Sequence, residues 1–440
     1  MTTLFAFLFV LGVLIVVHEL GHFLMARRIG VRVLTFSLGF GPKLIKLTRG
    51  GTEYCVSAIP LGGYVKMAGE NPDDARTGAP DEFLSKSKWQ RFQVLVMGPV
   101  MNLLLAVVVM AVVLYQGAPR PAFERQAVVI GAFAEKSAAA QAGLELGDRI
   151  ITVDGDAVEN WEQYSAAIVP KAKRDVTIGF VRGGRPGHVT VMPVGQGKYE
   201  LGDLGIQPTV HPEVAAVSKG QPAEQAGLKI ADVVIAVDGK ADSTYLELIA
   251  AIRSHQDQPL RLTVKRGQQR QDISVTPRQV GDKAMVGAEF SFYETYTVEP
   301  GPIEAVKLSV EQNWDWTKQI GQTLGGLLTR STSMKQLMGP VAIADLSGSA
   351  AKAGWIPLFT LMAMISLNLG LLNLMPIPVL DGGHVTILAL EGLARRDFSM
   401  KVKERMLGAG FVLLLLLMVT VIFNDLMRLP WVAKLVQLAS

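Results

Sequence analysis

Apolar residues gather into four runs without Asp, Glu, Lys or Arg: Leu4 to Val17, Phe92 to Tyr115, Ile356 to Met375 and Met406 to Phe423. A helix needs roughly 20 such residues to cross a hydrocarbon core. The first run reaches that length through Phe23-Leu24-Met25-Ala26 before Arg27-Arg28 stops it. Four transmembrane helices are therefore predicted, over 1–28, 92–116, 355–392 and 405–427. A secretory signal is the rival reading of the first run, but it has no basic start and no small-residue cleavage site. Between the first two spans the pattern turns to short β-prone pieces (Val33–Ser37, Lys43–Leu47, Tyr54–Ile59, Tyr64–Met67) separated by glycine turns at 39–42, 50–51 and 62–63. A small membrane-associated sheet within 29–91 fits them; an independent cytoplasmic β-meander is the alternative.

The segment between the second and third spans repeats itself. Gln141-Ala142-Gly143-Leu144 followed by Asp148 to Gly155 matches Gln225-Ala226-Gly227-Leu228 followed by Asp232 to Gly239, both at an offset of 84. Two tandem α+β domains follow, over 119–207 and 208–293. Each resembles a PDZ domain of the bacterial protease-associated kind, a resemblance that implies binding of extended peptide ends by strand addition; a pair of spacers without ligands is the alternative. Leu204-Gly205-Ile206 either closes the first domain, in circularly permuted order, or opens the second. Ala231 stands where the first copy has Gly147, so the turn there is expected to differ. From Ile303 to Leu328 apolar residues recur at helical spacing with Trp314 and Trp316, predicting an amphipathic helix and connector over 303–350. It lies either on the membrane surface or against the second domain.

Composition agrees with lipid solvation, since a mean hydropathy of +0.31 is high for 440 residues. Basic residues flank the spans at Arg27, Arg28, Arg32, Lys86, Lys88 and Arg91, and again from Arg395 to Arg405. These loops are read as cytoplasmic, which puts the N-terminus and the repeat on the outer side. Most of the net charge of +4 is this bias, so no nucleic-acid partner is expected. Cys55 is the only cysteine, which excludes an intramolecular disulfide and a cysteine zinc cluster.

His18-Glu19-Leu20-Gly21-His22 ends the first span. Two imidazoles one helical turn apart on one face suit one zinc ion. Glu19, rotated about 100° from His18, is placed to take a proton from water at the metal rather than to ligate it. A catalytic zinc takes three protein ligands. The third is sought in Asn373-Leu374-Met375-Pro376-Ile377-Pro378-Val379-Leu380-Asp381-Gly382-Gly383-His384, where the prolines break the third span. Asp381 is the leading candidate and His384 a competitor; Asp381 as a mere helix cap is the bland alternative.

HExxH in the first span, NxxPxPxLDG late in the chain and the PDZ-like repeat together resemble the site-2 protease family of intramembrane metalloproteases, in its bacterial branch that regulates the sigma-E stress response. The resemblance implies one zinc per chain held by His18, His22 and Asp381, with Glu19 as catalytic base. It implies that Asn373, Pro376 and Pro378 contact the substrate backbone or the oxyanion. Gly98 to Asn102 matches the family's GxxxN motif, making Asn102 structural or substrate-facing. Residues 33–67 resemble the family's membrane-reentrant β-loop, which is proposed to pair with an unwound substrate. There Gly62 and Gly63 would allow close approach. The implied activity is regulated intramembrane proteolysis in the bacterial inner membrane. Its substrates would be single-span proteins, such as anti-sigma factors already cut outside, or signal-peptide remnants. Two rivals are an inactive membrane scaffold that binds envelope peptides through its PDZ-like domains, and a transporter with a buried His/Glu site.

Overall fold

A computed structural model describes residues 2–70, 78–117, 119–197, 200–280, 283–297, 299–329 and 337–427. Part of the predicted connector, 330–336, lies outside these. The chain divides into a membrane-helix unit and a unit formed by the repeat.

In the first unit, α1 (Thr2–Arg28) carries no charge before Glu19 and ends on Arg27 and Arg28. The β-prone pieces after it form a long hairpin, β1 (Val33–Arg49) and β2 (Thr52–Met67). Its register shifts make it four-limbed. Val33–Leu38 pairs on one side with Glu53–Val56 and on the other with Gly63–Met67, while Lys43–Arg49 extends the far edge against Thr52–Ser57. Phe36 and Tyr54 pack on Phe23 of α1, so the sheet grows from the HExxH helix. The hairpin's other end is apolar and exposed at Leu44, Ile45 and Leu47. Helix α2 (Lys88–Tyr115) starts at a capping box in which Ser87 and Gln90 satisfy each other's backbone N–H groups.

The repeat unit shows the 84-residue offset as geometry. The first copy contains α3 (Ala138–Gln141), α4 (Trp161–Ile168) and a sheet in the order 156–157, 149–153, 176–182, 185–191. The second contains α5 (Pro222–Gln225), α6 (Tyr245–Ser254) and a sheet in the order 269–275, 260–266, 233–237, 213–217, 288–291. Each copy closes on its own core, around Ile150, Ile178 and Leu204 in one and Val234, Leu248 and Leu262 in the other. Ile206–Gln207 pairs with Ala132–Phe133, and Leu204 and Ile206 sit in the first core. That strand therefore closes the first copy, as 288–291 closes the second by pairing with 213–217.

The expected difference at Ala231 is absent. Ala231 takes φ +67° where Gly147 takes +86°, and the two N–H groups make equivalent bonds, to Val214 O at 2.9 Å and Ile130 O at 2.8 Å. The two copies also share an ion pair. Arg182 grips Asp148 through two bonds of 2.8 and 2.7 Å and donates to Gly143 O. Arg266 repeats this on Asp232, with two bonds of 2.6 Å, and on Gly227 O. The Arg182 fork holds Asp148 below the usual carboxylate range, against the opposing effect of burial.

Back in the membrane unit, α7 (Pro302–Leu328) turns Ala305, Ser309 and Asn313 inward and leaves Ile303, Val306, Val310 and Trp314 exposed. Its Ser309 hydroxyl donates to Val107 O of α2, so the inner face packs on the membrane helices. Helices α8 (Pro340–Ala353), α9 (Trp355–Leu374), α10 (Asp381–Leu393) and α11 (Met400–Met427) follow. Among the described residues, α1, α2, α9 and most of α11 (Lys401–Met427) are long and apolar enough to cross a membrane. Small residues let them approach closely: Gly21 meets the Met97 carbonyl and Gly370 meets Leu103 and Pro99 O.

Candidate metal centre

The site gathers where α1, α2 and the broken third span meet. His18 and His22, four residues apart, put their rings 4.9 Å apart and edge to face. Met375 to Leu380 interrupts the third span, and α10 restarts on Asp381, whose carboxylate returns to the two rings. Val379, which lines the same cavity, takes φ +88°, a costly conformation for a β-branched residue and a sign of a loop held in place by its surroundings.

The three donor atoms form a nearly regular triangle. His18 Nε2 lies 3.1 Å from Asp381 Oδ2, His22 Nε2 3.5 Å from the same oxygen, and the two Nε2 atoms 3.3 Å from each other. Tetrahedral zinc at about 2.0–2.1 Å from its donors sets them about 3.3–3.4 Å apart. The triangle matches. Its electrostatics agree: His22 Nδ1 lies 2.8 Å from the Val94 carbonyl, to which it can only donate, so Nε2 presents a lone pair. A carboxylate and imidazole lone pairs converging on one point repel one another unless a cation joins them. The donor set fits zinc, and it is the one group of His, Cys, Asp and Glu side chains among the described residues that could hold a metal.

A cavity of about 520 Å³ opens on the triangle, lined by His18, Glu19, His22 and Asp381 and by Gly63, Tyr64 and Val65 of the β2 edge. Gly63 lies directly against Glu19: a Cβ there would sit 2.9 Å from Glu19 Cγ and 2.8 Å from Ser37 O. Gly62, at φ +140°, leaves room for the Phe40 ring instead. Pro376 and Pro378 lie in the loop before Asp381 and Asn373 in the last turn of α9, but none of the three lines the cavity. The Asn373 side chain makes no hydrogen bond to another of the described residues. His384 is on the cavity wall but outside the donor triangle. Asn102 is fully buried behind His18 and off the cavity wall.

Peptidase family M50 matches residues 6–417. The chain belongs to this family. It is 33% identical to the regulator of sigma-E protease RseP of Escherichia coli K12 and 34% identical to its namesake from Salmonella typhimurium 14028s, in each case over 96% of this chain and 98% of the relative. A Vibrio cholerae protein whose name assigns it to the zinc metalloproteases is 32% identical over the same shares.

Two features of this M50 site escaped the sequence reading. One is Arg91, a buried cation on the cavity wall whose Nε has no partner among the described residues. The other is the buried carboxylate Glu391, held by Lys403 at 2.7 Å and by the Phe398 N–H. In the sequence Arg91 reads as one more topogenic charge, and a buried Glu–Lys pair carries no spacing signature.

Proposed function

We propose that this M50 peptidase cleaves transmembrane segments of single-span proteins, with one zinc held by His18, His22 and Asp381 and with Glu19 as the base. The donor triangle carries the reading. When bound, zinc supplies a Lewis acid that polarises the scissile carbonyl and acidifies water at the site. Glu19, on the cavity wall beside the triangle, takes the proton from that water and passes it to the leaving amine. Gly63–Met67 has a strand partner on one side only among the described residues, and its free edge gives an extended substrate backbone the hydrogen bonds it loses on leaving its helix.

The basic loops orient the chain with the site toward the cytoplasm and the two repeats outside, as PDZ-like domains 119–207 and 208–293 that screen substrates by their extracytoplasmic ends. With relatives named as sigma-E regulators, anti-sigma factors already trimmed outside are the favoured substrates, and signal-peptide remnants a second class.

The test is Glu19→Gln, co-expressed with a single-span substrate. Cleavage should fall by about 10²–10⁴-fold while zinc stays bound at one per chain. A variant that still cleaves removes Glu19 from its role, and a wild-type chain purified without zinc-binding capacity removes the metal centre.

A further inference from the structure

Helix α2 contributes no metal donor, yet it touches both histidines. His22 Nδ1 meets the Val94 carbonyl at 2.8 Å. His18 Nδ1 meets the Asn102 side-chain amide at 3.3 Å. Val94 and Asn102 are eight residues apart, about 12 Å along the helix axis, with Gly98 midway, where a Cβ would stand 2.2 Å from His22 Nε2.

As placed, the Asn102 amide turns Nδ2 toward His18 Nδ1 and leaves Oδ1 buried without a partner. The two ends of an amide are told apart by hydrogen bonding alone. Either orientation leaves one amide atom without a protein partner, so burial does not choose between them. The ring chemistry does. His18 directs Nε2 at the donor triangle, where it must be a bare lone pair; its proton is then on Nδ1, which needs an acceptor. An N–H facing an NH₂ is a clash of two donors.

We infer that Asn102 presents Oδ1 to the His18 Nδ1–H and is a positioning residue for the metal centre, fixing the tautomer and ring plane of His18 as the Val94 carbonyl fixes those of His22. The Asn102 backbone is itself held, since its carbonyl accepts from the Ser366 hydroxyl of α9 at 2.7 Å. GxxxN in the second span is thus a metal-support motif: the glycine admits one histidine ring and the asparagine orients the other. This inference rests on the zinc site proposed above.

Zinc affinity of the full-length chain in detergent, measured by chelator competition, tests it in Asn102→Leu and Asn102→Asp. Leu keeps the volume and removes the acceptor; Asp keeps the acceptor and adds a buried charge. A supporting residue predicts about 10–100-fold weaker zinc binding for Leu and affinity at or above wild type for Asp. A packing role predicts the reverse order, because the buried charge is then the more damaging change. Zinc affinity of the Leu variant within about threefold of wild type, or an Asp variant as weak as Leu, overturns the inference. If Asn102→Leu yields no folded chain, Asp alone decides: affinity at or above wild type supports it, and a tenfold loss overturns it. Wild-type protein that binds no zinc would instead defeat the metal centre itself.

Discussion

Gly98→Ala is the smallest change that reaches the metal donors. The added methyl would sit 2.2 Å from His22 Nε2, 2.6 Å from Cε1 and 2.8 Å from Cδ2, where ordinary contact begins at 3.4 Å. The ring would have to recede by about 1.2 Å, several times the ±0.2 Å that a metal–donor distance tolerates. Receding would break the Nδ1 contact with the Val94 carbonyl or press on the His18 ring. Overpacking of this kind costs about 1–3 kcal/mol, which at about 1.4 kcal/mol per decade is roughly 5- to 150-fold in zinc affinity. Helix propensity alone works the other way, favouring Ala over Gly by about 1 kcal/mol. Gly12→Ala in α1, with no atom within 4 Å of its added methyl, is the control for that opposing effect and should leave zinc binding unchanged. Chelator competition on both variants reads the difference. Zinc affinity for Gly98→Ala within twofold of wild type would refute the packing argument.

Gly63→Ala should lower turnover by about 10- to 100-fold by moving Glu19 while leaving zinc affinity near wild type; parallel zinc and peptidase assays would expose a loss of both as a different fault. In the first repeat, Arg182→Met strands the buried Asp148 carboxylate and should destabilise the fold more than Asp148→Asn, as read by denaturant-dependent proteolysis of that domain. Because Asp148 titrates below the ordinary carboxylate value when folded, its contribution is complete above about pH 4 and is lost as pH falls further. The stability gap between wild type and Arg182→Met should accordingly narrow as pH falls below about 4, and a gap that does not change with pH would count against the pair. Ala231→Gly relieves a left-handed strain of about 1–2 kcal/mol against an entropic cost of about 0.5–1 kcal/mol. The second repeat should gain up to about 1.5 kcal/mol, and a lower melting temperature would contradict this.

The sequence made some of this architecture legible because it repeats or alternates in letters. The apolar runs, the 84-residue offset and the break at Pro376 and Pro378 all surfaced that way, and so did His18, His22 and Asp381, which the fold brings together. What stayed hidden depends on who stands opposite whom. The Val94 carbonyl that orients His22 has no letter of its own. Arg182 and Arg266 keep the same offset as their aspartates, but they lie outside the matching stretch and look like surface charge. The β-prone pieces were visible, but their order was not. Only bulges in β1 and β2 put Val33–Leu38 in the middle and leave Gly63–Met67 as a free edge beside Glu19. At Ala231 letter-reading misled, since the hydrogen bond to Val214 holds alanine in a turn that glycine would take freely.

The candidate donor triangle joins distant parts of the polypeptide, His18 and Asp381 being 363 positions apart. A ribosome elongating at about 5–20 residues per second needs roughly 20–70 s to cover that distance. Throughout that interval the first span carries two histidines and a glutamate but no third donor, and both repeats must be made before one arrives. On the proposed zinc centre, synthesis thus imposes its own timer: until Asp381 is made, the chain lacks one of its three donors.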